Sequence, residues 1–471
     1  METLQRTANS GSVSTGFNVD NSLKLEANNT EIIYRANESG TNRKTFTASV
    51  WFKRTELGVA QEVWHGGRNG EMVGMGMLTY SGFTDQLWVD IGGGSGNTGT
   101  LYRSASTQKI RDTSAWYHMV LAVDTTQSTA ANRMKVWLNG VEVTSWAQHQ
   151  IPAEDYQGAL ESGTDMAWGG FRPNNSELFS GYITECHYLD GVAKVQTDFG
   201  EYDEDSGIWK PKAYTGTYGN NGSYMKFDDS SALGADSSGN SNTFTLVNIA
   251  AADQSTDTPT NNFCTFNAIN MYGSTATLAE GATFTASTAN GAFTTYGTMS
   301  PSSGKWWWEG KIQVNGSTAY ACIGATTNLA GLPAVSAQLS GGHVIKLAKG
   351  QKWVLNDTGY NYGAQYEDGS IINIGLDLDN RRFYSYKNGT VDDANGIDIS
   401  STTFDGFGSQ WMPLVITYGD GGASSYEINF GGYRTYGISS AASDANGYGT
   451  FEYAPPSGYY SLCTKNLAEY G

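Results

Sequence analysis

The amino-acid sequence predicts an all-β protein that contains two antiparallel β-sandwiches in tandem. Its 471 residues are enough for two or three domains. Charged residues make up only 16%, aromatic residues make up 13% and glycine occurs 59 times, a composition typical of strands joined by tight turns. Apolar and polar residues also alternate along several segments, which is the pattern of strands with one face in a core.

Three segments in the first half of the chain have the period of β-strands. Residues 45–54 place Phe46, Val50 and Phe52 on one face, because alternate residues of a strand share a face. Residues 86–91 alternate in the same way. Residues 116–124 are apolar on both faces, as expected of a central strand.

Two Asn-Gly pairs predict hairpins. Asn139-Gly140 lies within residues 134–143, and Asn388-Gly389 lies within residues 367–390. A type I′ turn needs positive φ at both central positions, which asparagine and glycine tolerate best. We therefore expect a two-residue turn at each pair.

The order of the first segments resembles a laminin-G-like, concanavalin-A-like jelly roll. The matching pieces are FTASVWFKR, WYHMVLAVD, MKVWLNGVEV and, at residues 179–192, FSGYITECHYLDGV. The resemblance covers residues 18–192 and leaves residues 1–17 as a polar N-terminal attachment arm. It implies two sheets packed face to face, and binding of glycan or protein rather than catalysis.

Residues 193–274 are predicted to form a linker with extension strands. Within residues 193–215, an acidic cluster from Glu201 to Asp205 stands beside glycine and proline, a pattern typical of a solvated linker. The later stretch DSSGNSNTFTL is too short to form a sandwich alone, so we expect it to pack on a neighbour.

The second half of the chain resembles a SPRY domain over residues 275–455. The matching pieces are GKWWWE, AYACIGATT at residues 319–327, GLDLDNRRFYSYKNG and PLVITYG. The resemblance implies a β-sandwich that binds protein or peptide through end loops and is not an enzyme. Within it, residues 305–312 are predicted to form a core strand whose alternation buries every second ring of the Trp306–Trp308 run.

The C-terminal tail, residues 456–471, belongs to a segment (APPSGYYSLCTKNL) similar to the ending of many bacteriophage virion proteins that carry SPRY domains. Together the resemblances imply a non-enzymatic virion structural protein, a tail fibre or appendage that binds a host-surface glycan or protein. Its other partners would be virion proteins and further copies of itself in a homo-oligomer. Two alternatives stay open: a capsid decoration or head-fibre protein, and a free lectin or glycan-active enzyme.

Composition excludes several classes. A net charge of −18 without a basic cluster disfavours nucleic-acid binding. No apolar run approaches the roughly 20 residues of a membrane helix, and the N-terminus has no apolar region typical of a Sec signal. The four cysteines, Cys186, Cys264, Cys322 and Cys463, are far apart and are predicted to be free thiols.

No catalytic residues are predicted. Retaining glycosidases need two carboxyl groups about 5–5.5 Å apart, which one strand can supply at alternate positions. The nearest matches are Glu201/Asp203/Asp205 in the linker and Asp377/Asp379 at the end of a strand. The ExDxxE pattern of laminarinase relatives is absent, and the five histidines lack metal-binding spacing, so we expect them to be core or sheet-surface residues.

Calcium is the one cofactor for which the sequence offers ligands. Asp228, Asp229, Asp236 and Asn240 carry the oxygen ligands that a hard cation prefers, and some laminin-G-like domains hold Ca²⁺ on loops. The alternative is that these residues form Asx-turns within a loop.

A tyrosine-rich stretch is the predicted ligand-binding loop. Tyr360, Asn361, Tyr362 and Tyr366 lie among glycine and asparagine in residues 356–368. Exposed tyrosine provides contact area at low entropic cost, and sugars stack on aromatic faces. The alternative is that these rings pack on the sandwich edge or on a neighbouring subunit.

Overall fold

Two compact β-units make up the chain, which divides between Thr260 and Asn261. The computed structural model describes residues 16–37, 41–68, 70–79, 82–93, 100–160, 163–273, 277–286, 292–314, 320–327, 343–347, 352–355, 358–361, 366–400, 409–418 and 422–471. The predicted N-terminal arm therefore lies almost wholly outside the described residues. The predicted fold class, all-β with two antiparallel sandwiches, is confirmed.

The first unit is built from short and medium strands joined by turns, with 3₁₀ turns at Ala27–Asn29, Ala130–Asn132, Gln196–Asp198 and Ala251–Asp253. Its strands are β1 (Ser22–Leu25), β2 (Ile32–Ala36), β3 (Thr45–Arg54), β4 (Gln61–Arg68), β5 (Glu71–Leu78), β6 (Gln86–Gly93), β7 (Leu101–Lys109), β8 (Tyr117–Asp124), β9 (Met134–Leu138), β10 (Val141–Glu142), β11 (Trp146–Gln148), β12 (Asp165–Trp168), β13 (Gly181–Asp190), β14 (Gly200–Tyr202), β15 (Trp209–Pro211), β16 (Ser223–Met225), β17 (Thr245–Val247) and β18 (Gln254–Ser255).

Two sheets enclose the core of the first unit. Sheet A has the order β10-β9-β8-β3-β13-β1-β18, with β16 also paired to β13, and sheet B has the order β11-β7-β6-β5-β4-β12-β2-β17. Alternate residues such as Phe46 and Val50 from sheet A meet Trp64, Met75 and Val89 from sheet B. The predicted strands are confirmed, because the apolar positions of each share the inward face.

The predicted solvated linker is wrong, because residues 193–260 belong to the first sandwich. Strand β16 pairs with β13, β17 with β2 and β18 with β1. The buried Lys53 ammonium lies 2.8 Å from Asp257, whose other oxygen accepts from the Trp116 indole at 2.9 Å. Trp209 within the acidic stretch is also buried. The later stretch DSSGNSNTFTL leads into β17, which pairs with β2 of the first sandwich, so the prediction that it packs on a neighbour is confirmed.

The second unit contains β19 (Phe266–Tyr272), β20 (Thr277–Ala279), β21 (Phe284–Ala286), β22 (Ala292–Gly297), β23 (Lys305–Val314), β24 (Tyr320–Thr326), β25 (His343–Leu347), β26 (Lys352–Leu355), β27 (Thr358–Asn361), β28 (Ile371–Asp377), β29 (Arg382–Lys387), β30 (Thr390–Val391), β31 (Ile397–Asp398), β32 (Met412–Tyr418), β33 (Ser424–Asn429), β34 (Tyr460–Ser461) and helix α1 (Thr464–Tyr470). Sheet C has the order β19-β22-β32-β24-β25-β26-β27. Sheet D has the order β20-β21-β33-β23-β28-β29-β30, with β31 on β29 and β34 on β23.

The tryptophan run shows how the second unit is layered. Trp306 and Trp308 lie in the core between sheets C and D, as predicted. Trp307 points the other way, yet it is only 1% exposed, because Phe451 and Tyr459 cover that face of sheet D. The prediction that alternation buries Trp306 and Trp308 is therefore confirmed, and residues from later in the chain bury Trp307 as well.

The C-terminal tail is part of this covering. Strand β34 runs parallel to β23, and Leu462 and Cys463 are fully buried before α1 begins. Asp444 holds the segment in place, since its carboxylate accepts from the Ser461 hydroxyl at 2.6 Å and the Asn466 amide at 2.8 Å.

Both predicted Asn-Gly turns are confirmed. The φ angles are 49° and 80° at Asn139 and Gly140, and 47° and 78° at Asn388 and Gly389. All four cysteines are free and buried, as predicted. In the part of the chain described above, no helix has the length and apolar character needed to cross a membrane.

Candidate functional site

A polar cluster lies on the outer face of sheet B, the face turned away from the core of the first unit. The paired positions on this face form two rows across four strands. One row contains Glu62, Gly76, Trp88 and Ala105, and the other contains His65, Gly74, Asp90 and Arg103. Neighbouring strands are about 4.8 Å apart, so each row brings together residues that are distant in sequence. We call this set the outer-face cluster.

Glycine at the centre of the cluster makes room for the carboxyl group of Glu62. A Cβ atom on Gly74 would lie 1.8 Å from Glu62 Oε1, and one on Gly76 would lie 2.1 Å from the Gln61 carbonyl oxygen. A β-bulge between Glu62 and Trp64 brings this part of β4 close to β5. Two positions of β5 that face outward between β4 and β6, Gly74 and Gly76, therefore carry no side chains.

Arg103 is held in place by two contacts. Its guanidinium binds Asp90 in bidentate fashion, with Nε donating to Oδ1 at 2.7 Å and Nη2 donating to Oδ2. It also lies 5.7 Å from the centre of the Trp88 ring. Burial raises the pKa of Asp90, whereas the charge and hydrogen bonds of Arg103 lower it. The Arg103 side chain keeps 19% of its surface exposed, so it connects the buried carboxylate with solvent.

Glu62 and His65 are fully buried neighbours. His65 Nδ1 lies 3.4 Å from the Glu62 carboxyl group. Desolvation raises the pKa of Glu62 well above its usual range, and the charges of Glu177 and Asp90 raise it further. Desolvation lowers the pKa of His65 to about 4. Burial therefore favours the protonated carboxylic acid of Glu62 and the neutral imidazole of His65.

One loop covers the Glu62 end of the cluster. The Glu62 amide donates to the Glu177 carbonyl at 2.7 Å, and Phe171 packs edge-on against His65 at 4.8 Å. Glu177 itself is exposed at the rim and has φ of 50°. Desolvation by the enclosing groups raises the pKa of its carboxyl group.

Several buried polar atoms of the cluster lack a hydrogen-bond partner among the described residues. They are Glu62 Oε2, His65 Nε2 and Trp88 Nε1. Buried polar atoms are nearly always paired, so each of these marks a place where an ordered water gains a hydrogen bond. The partly exposed Arg103 guanidinium is the group of the cluster that a hydroxylated ligand can reach.

The structure corrects part of the predicted ligand-binding loop. Tyr366 is 1% exposed in the core of the second unit, and its hydroxyl donates to Asp392 at 2.6 Å. The expectation that Tyr366 presents its ring to a ligand is therefore wrong. Tyr360 and Asn361 lie on strand β27 and not on a loop. Tyr362 lies outside the described residues.

The predicted calcium ligands form a turn that is already well satisfied. Asp236 accepts four hydrogen bonds, from the amides of Tyr224, Ser238 and Asn242 and from the Ser238 hydroxyl. The Asn240 side-chain amide donates to two carbonyl oxygens. The Asp229 carboxylate accepts a hydrogen bond from the Ser231 backbone amide. Asp228 takes no part in the hydrogen bonds just described. The Asx-turn alternative therefore describes Asp229 and Asp236.

No metal cluster of three or more His, Cys, Asp or Glu side chains occurs within the described ranges. Calcium binding at Asp228, Asp229, Asp236 and Asn240 stays a prediction, and at Asp236 the ion would compete with the four hydrogen bonds described above.

A buried Ser-His pair in sheet A resembles part of a hydrolase site but has the wrong tautomer. Ser49 Oγ lies 2.9 Å from His118 Nε2, and the Trp209 indole N–H donates to His118 Nδ1 at 3.0 Å. Because an indole nitrogen only donates, Nδ1 is the acceptor and the proton resides on Nε2. His118 therefore cannot take a proton from Ser49 in this arrangement.

The acidic pairs considered from the sequence have structural contacts. Asp377 lies 2.9 Å from the Lys305 ammonium, and Asp379 accepts from the Gly304 amide at 2.8 Å. Asp203 lies 3.0 Å from the Lys210 ammonium. The sequence does not reveal the outer-face cluster, because its acids come from different strands and alternation relates only residues of one strand. Its sequence signal is the alternation of glycine with apolar residues in β5.

Comparison with known proteins places the cluster on a recognised type of domain. Residues 20–196 match the family described as the concanavalin A-like lectin/glucanases superfamily (Laminin_G_3). Residues 20–196 of the first sandwich are therefore similar to concanavalin A-like lectin/glucanase domains. No curated protein matches this chain in sequence.

Solved structures similar to the chain include β-sandwich proteins. The SPRY domain of human HERC1 is 15% identical, with 35% of this chain and 96% of that domain covered at a TM-score of 0.29. A heptameric SAP-like pentraxin from Limulus polyphemus is 12% identical, with 38% and 78% covered at a TM-score of 0.27. Domain 4 of AbnA, a GH43 extracellular arabinanase from Geobacillus stearothermophilus solved with arabinotriose, is 21% identical, with 33% and 65% covered at a TM-score of 0.24.

Proposed function

We propose that the chain is a non-enzymatic structural protein of a bacteriophage virion, a tail fibre or appendage that binds a host-surface glycan. The main support is the outer-face cluster on a sandwich of the lectin/glucanase type, where Arg103 is fixed by Asp90 beside Trp88. The virion context is supported by the similarity of residues 454–467 to the endings of phage virion proteins.

The cluster suits hydroxylated ligands because its groups are rigid and offer both donors and acceptors. The bidentate contact with Asp90 fixes the orientation of the Arg103 guanidinium, whose side chain keeps 19% of its surface exposed. An arginine held before binding loses little entropy when a ligand arrives. Glu177 at the rim adds an acceptor next to this donor.

A binding role fits these groups better than hydrolysis. In a retaining glycosidase one carboxylate must be free to attack the sugar. Asp90 already uses both oxygens on Arg103, and Glu62 is fully buried under the loop that contains Glu177.

Glycan binding can be tested with Arg103→Lys in the full chain. Lysine keeps the charge beside Asp90 but loses the bidentate geometry. We expect binding on a glycan array to weaken by about tenfold or more, the size typical of an interface hot spot. The matched control is Arg68→Lys, because Arg68 belongs to the same sheet and its side chain is 50% exposed. Unchanged binding by a folded Arg103→Lys protein would show that this face does not recognise glycan.

The virion role can be tested on purified particles. We expect mass spectrometry to detect the chain in washed particles and antibody labelling to place it on the tail. Labelling of the head would favour the head-fibre alternative, and absence of the chain from the particles would contradict the proposal. Because the net charge is −18, adsorption should hold steady or improve as added salt screens repulsion from an anionic envelope.

A glycan-active enzyme is the second candidate, favoured by one observation. Burial favours the protonated form of Glu62, whereas the Arg103 contact favours the ionised form of Asp90 on the same sheet face, and such a pair can supply acid and base roles. Release of reducing ends from laminarin or host polysaccharide, abolished by Glu62→Gln, would establish it. We expect no release.

A further inference from the structure

The outer face of sheet D presents a row of partly exposed tyrosine rings. Tyr384 and Tyr386 stand at alternate positions of β29, so both project from the same face. Tyr453 lies on the segment that crosses this face, and it is also partly exposed. We call these three residues the tyrosine strip. They lie on the second unit and share no residue with the outer-face cluster.

Buried aromatic rings support the strip from below. Tyr386 packs edge-on against Trp307, with ring centres 4.9 Å apart. Tyr384 packs at 89° to Tyr459, with centres 6.4 Å apart. Trp307 is 1% exposed and Tyr459 is 8% exposed, so both are fixed by the surrounding structure. The exposed rings therefore rest on a rigid base.

Glycine residues allow the exposed rings to lie close against the backbone. A Cβ atom on Gly396 would lie 2.7 Å from Tyr384 Cε1, and one on Gly389 would lie 2.5 Å from Tyr453 Cδ1. Both glycines also have positive φ, at 61° and 78°. A side chain at either position would displace a ring, so the backbone itself sets the ring positions.

The polar ends of the strip remain available. The hydroxyl groups of Tyr384, Tyr386 and Tyr453 make no hydrogen bond to the residues that the structure describes. The buried indole nitrogen of Trp307 likewise has no partner within that part of the chain. The surface thus combines apolar ring faces with unpaired donors and acceptors.

Three cations near the strip are paired with carboxylates. Lys305 lies 2.9 Å from Asp377, Arg382 lies 3.5 Å from Asp398, and the Lys387 ammonium lies 3.9 Å from Glu367. Each cation next to the rings therefore has a carboxylate partner. A surface of this kind favours an uncharged ligand over an acidic or basic one.

We propose that the tyrosine strip is a second carbohydrate-binding surface, on which the apolar face of a neutral pyranose ring stacks while its hydroxyl groups bond to the phenols. Strand addition is disfavoured because β30 and β31 already pair with β29 on the side opposite β28. The ligand class rests on the proposed glycan recognition, but the residues are independent of Arg103 and Asp90.

The test is affinity electrophoresis of the full chain in gels that contain soluble neutral polysaccharides, namely dextran, mannan, galactomannan and hydroxyethylcellulose. We expect at least one polysaccharide to retard the protein. The double variant Tyr384→Ala/Tyr386→Ala should weaken that binding by about tenfold or more. Tyr384→Phe/Tyr386→Phe should lose less, because the rings remain and only the hydroxyl groups are removed.

The matched control is Tyr202→Ala, which removes a tyrosine that is 50% exposed on the first unit. Circular dichroism and thermal melting establish that each variant is folded. If the tyrosine variants are retarded like the wild type, or if none of the four polysaccharides retards the protein, the proposal is wrong. Binding of a decaproline peptide that depends on the same tyrosines, without polysaccharide binding, would replace it with peptide recognition.

The two glycan proposals fail separately. Loss of retardation in Arg103→Lys alone would support the first unit and overturn the tyrosine strip. Loss in the tyrosine variants alone would support the strip, and the outer-face cluster would then be decided by the glycan array. A combined Arg103→Lys and Tyr384→Ala/Tyr386→Ala protein should show additive losses if both surfaces bind, because the two surfaces have no residue in common.

Discussion

Removing the Glu309 carboxylate should destabilise the second unit more than any surface change. Glu309 lies in β23 on the outer face of sheet D and is fully buried. Its Oε1 accepts from Tyr436 at 2.9 Å and from the Glu452 amide at 2.7 Å, and its Oε2 accepts from the Asn373 amide group at 2.9 Å. Asn429 donates to it as well, at 3.0 Å. The carboxylate thereby joins three strands to the segment that covers them.

The magnitude follows from the donors that Glu309→Ala would leave behind. The Asn429 amide group keeps a second acceptor, the Thr450 carbonyl at 2.7 Å. Tyr436, the Glu452 amide and the Asn373 amide group would each lose the acceptor described above. A buried donor without a partner costs about 1–3 kcal/mol, so we expect the free energy of unfolding to fall by about 3–5 kcal/mol, allowing for entry of water.

Hydrogen exchange of the full chain, followed by mass spectrometry, measures this effect for each unit. In Glu309→Ala, peptides from β23, β28 and β33 should exchange much faster, whereas peptides from β3 and β8 serve as an internal reference. Glu427→Ala is the matched control, because Glu427 lies on the same face and accepts from Thr435 at 3.0 Å at a partly buried site. Equal protection of the second unit in both variants would refute the reasoning.

Three further predictions concern pH, a turn and calcium. Burial lowers the pKa of His65 to about 4 and that of His118 to about 3, so the unfolded state gains protons below pH 6.5 before the folded state does. The free energy of unfolding should fall between pH 6.5 and 4, by about 3 kcal/mol for His118 alone, and urea titrations of His118→Gln should show a shallower fall. Gly140→Ala should lower the melting temperature more than Gly58→Ala, because both glycines have positive φ but only a Cβ atom at Gly140 would meet Trp209, at 2.4 Å; equal shifts would contradict this steric reasoning. Calcium at millimolar concentration should leave the melting temperature unchanged, because the Asp236 oxygens already accept four hydrogen bonds; a calcium-dependent rise that Asp236→Asn abolishes would show that the ion binds there.

The sequence by itself determined the local elements of this protein. Strand β3 was predictable because alternation is a property of neighbouring residues, and it coincides with residues 45–54. The turns at Asn139 and Asn388 were predictable because positive φ is a local requirement that few residues meet. The all-β class followed from many such segments.

Tertiary structure alone decided which faces are covered and which side chains meet. Tyr366 looked like a loop residue, yet its ring contributes to the core of the second unit. Trp307 stands on the face that alternation left open, and residues more than 140 positions later cover it.

The outer-face cluster shows the physical reason. Glu62, Asp90 and Arg103 belong to β4, β6 and β7, and their approach depends on the register of three strand pairs and on the bulge beside Glu62. Periodicity assigns each residue to a face of its own strand, but not to a position beside a particular residue of another strand. That position is set by the packing of both sheets, because a shift of one residue would turn every apolar side chain of a strand away from the core.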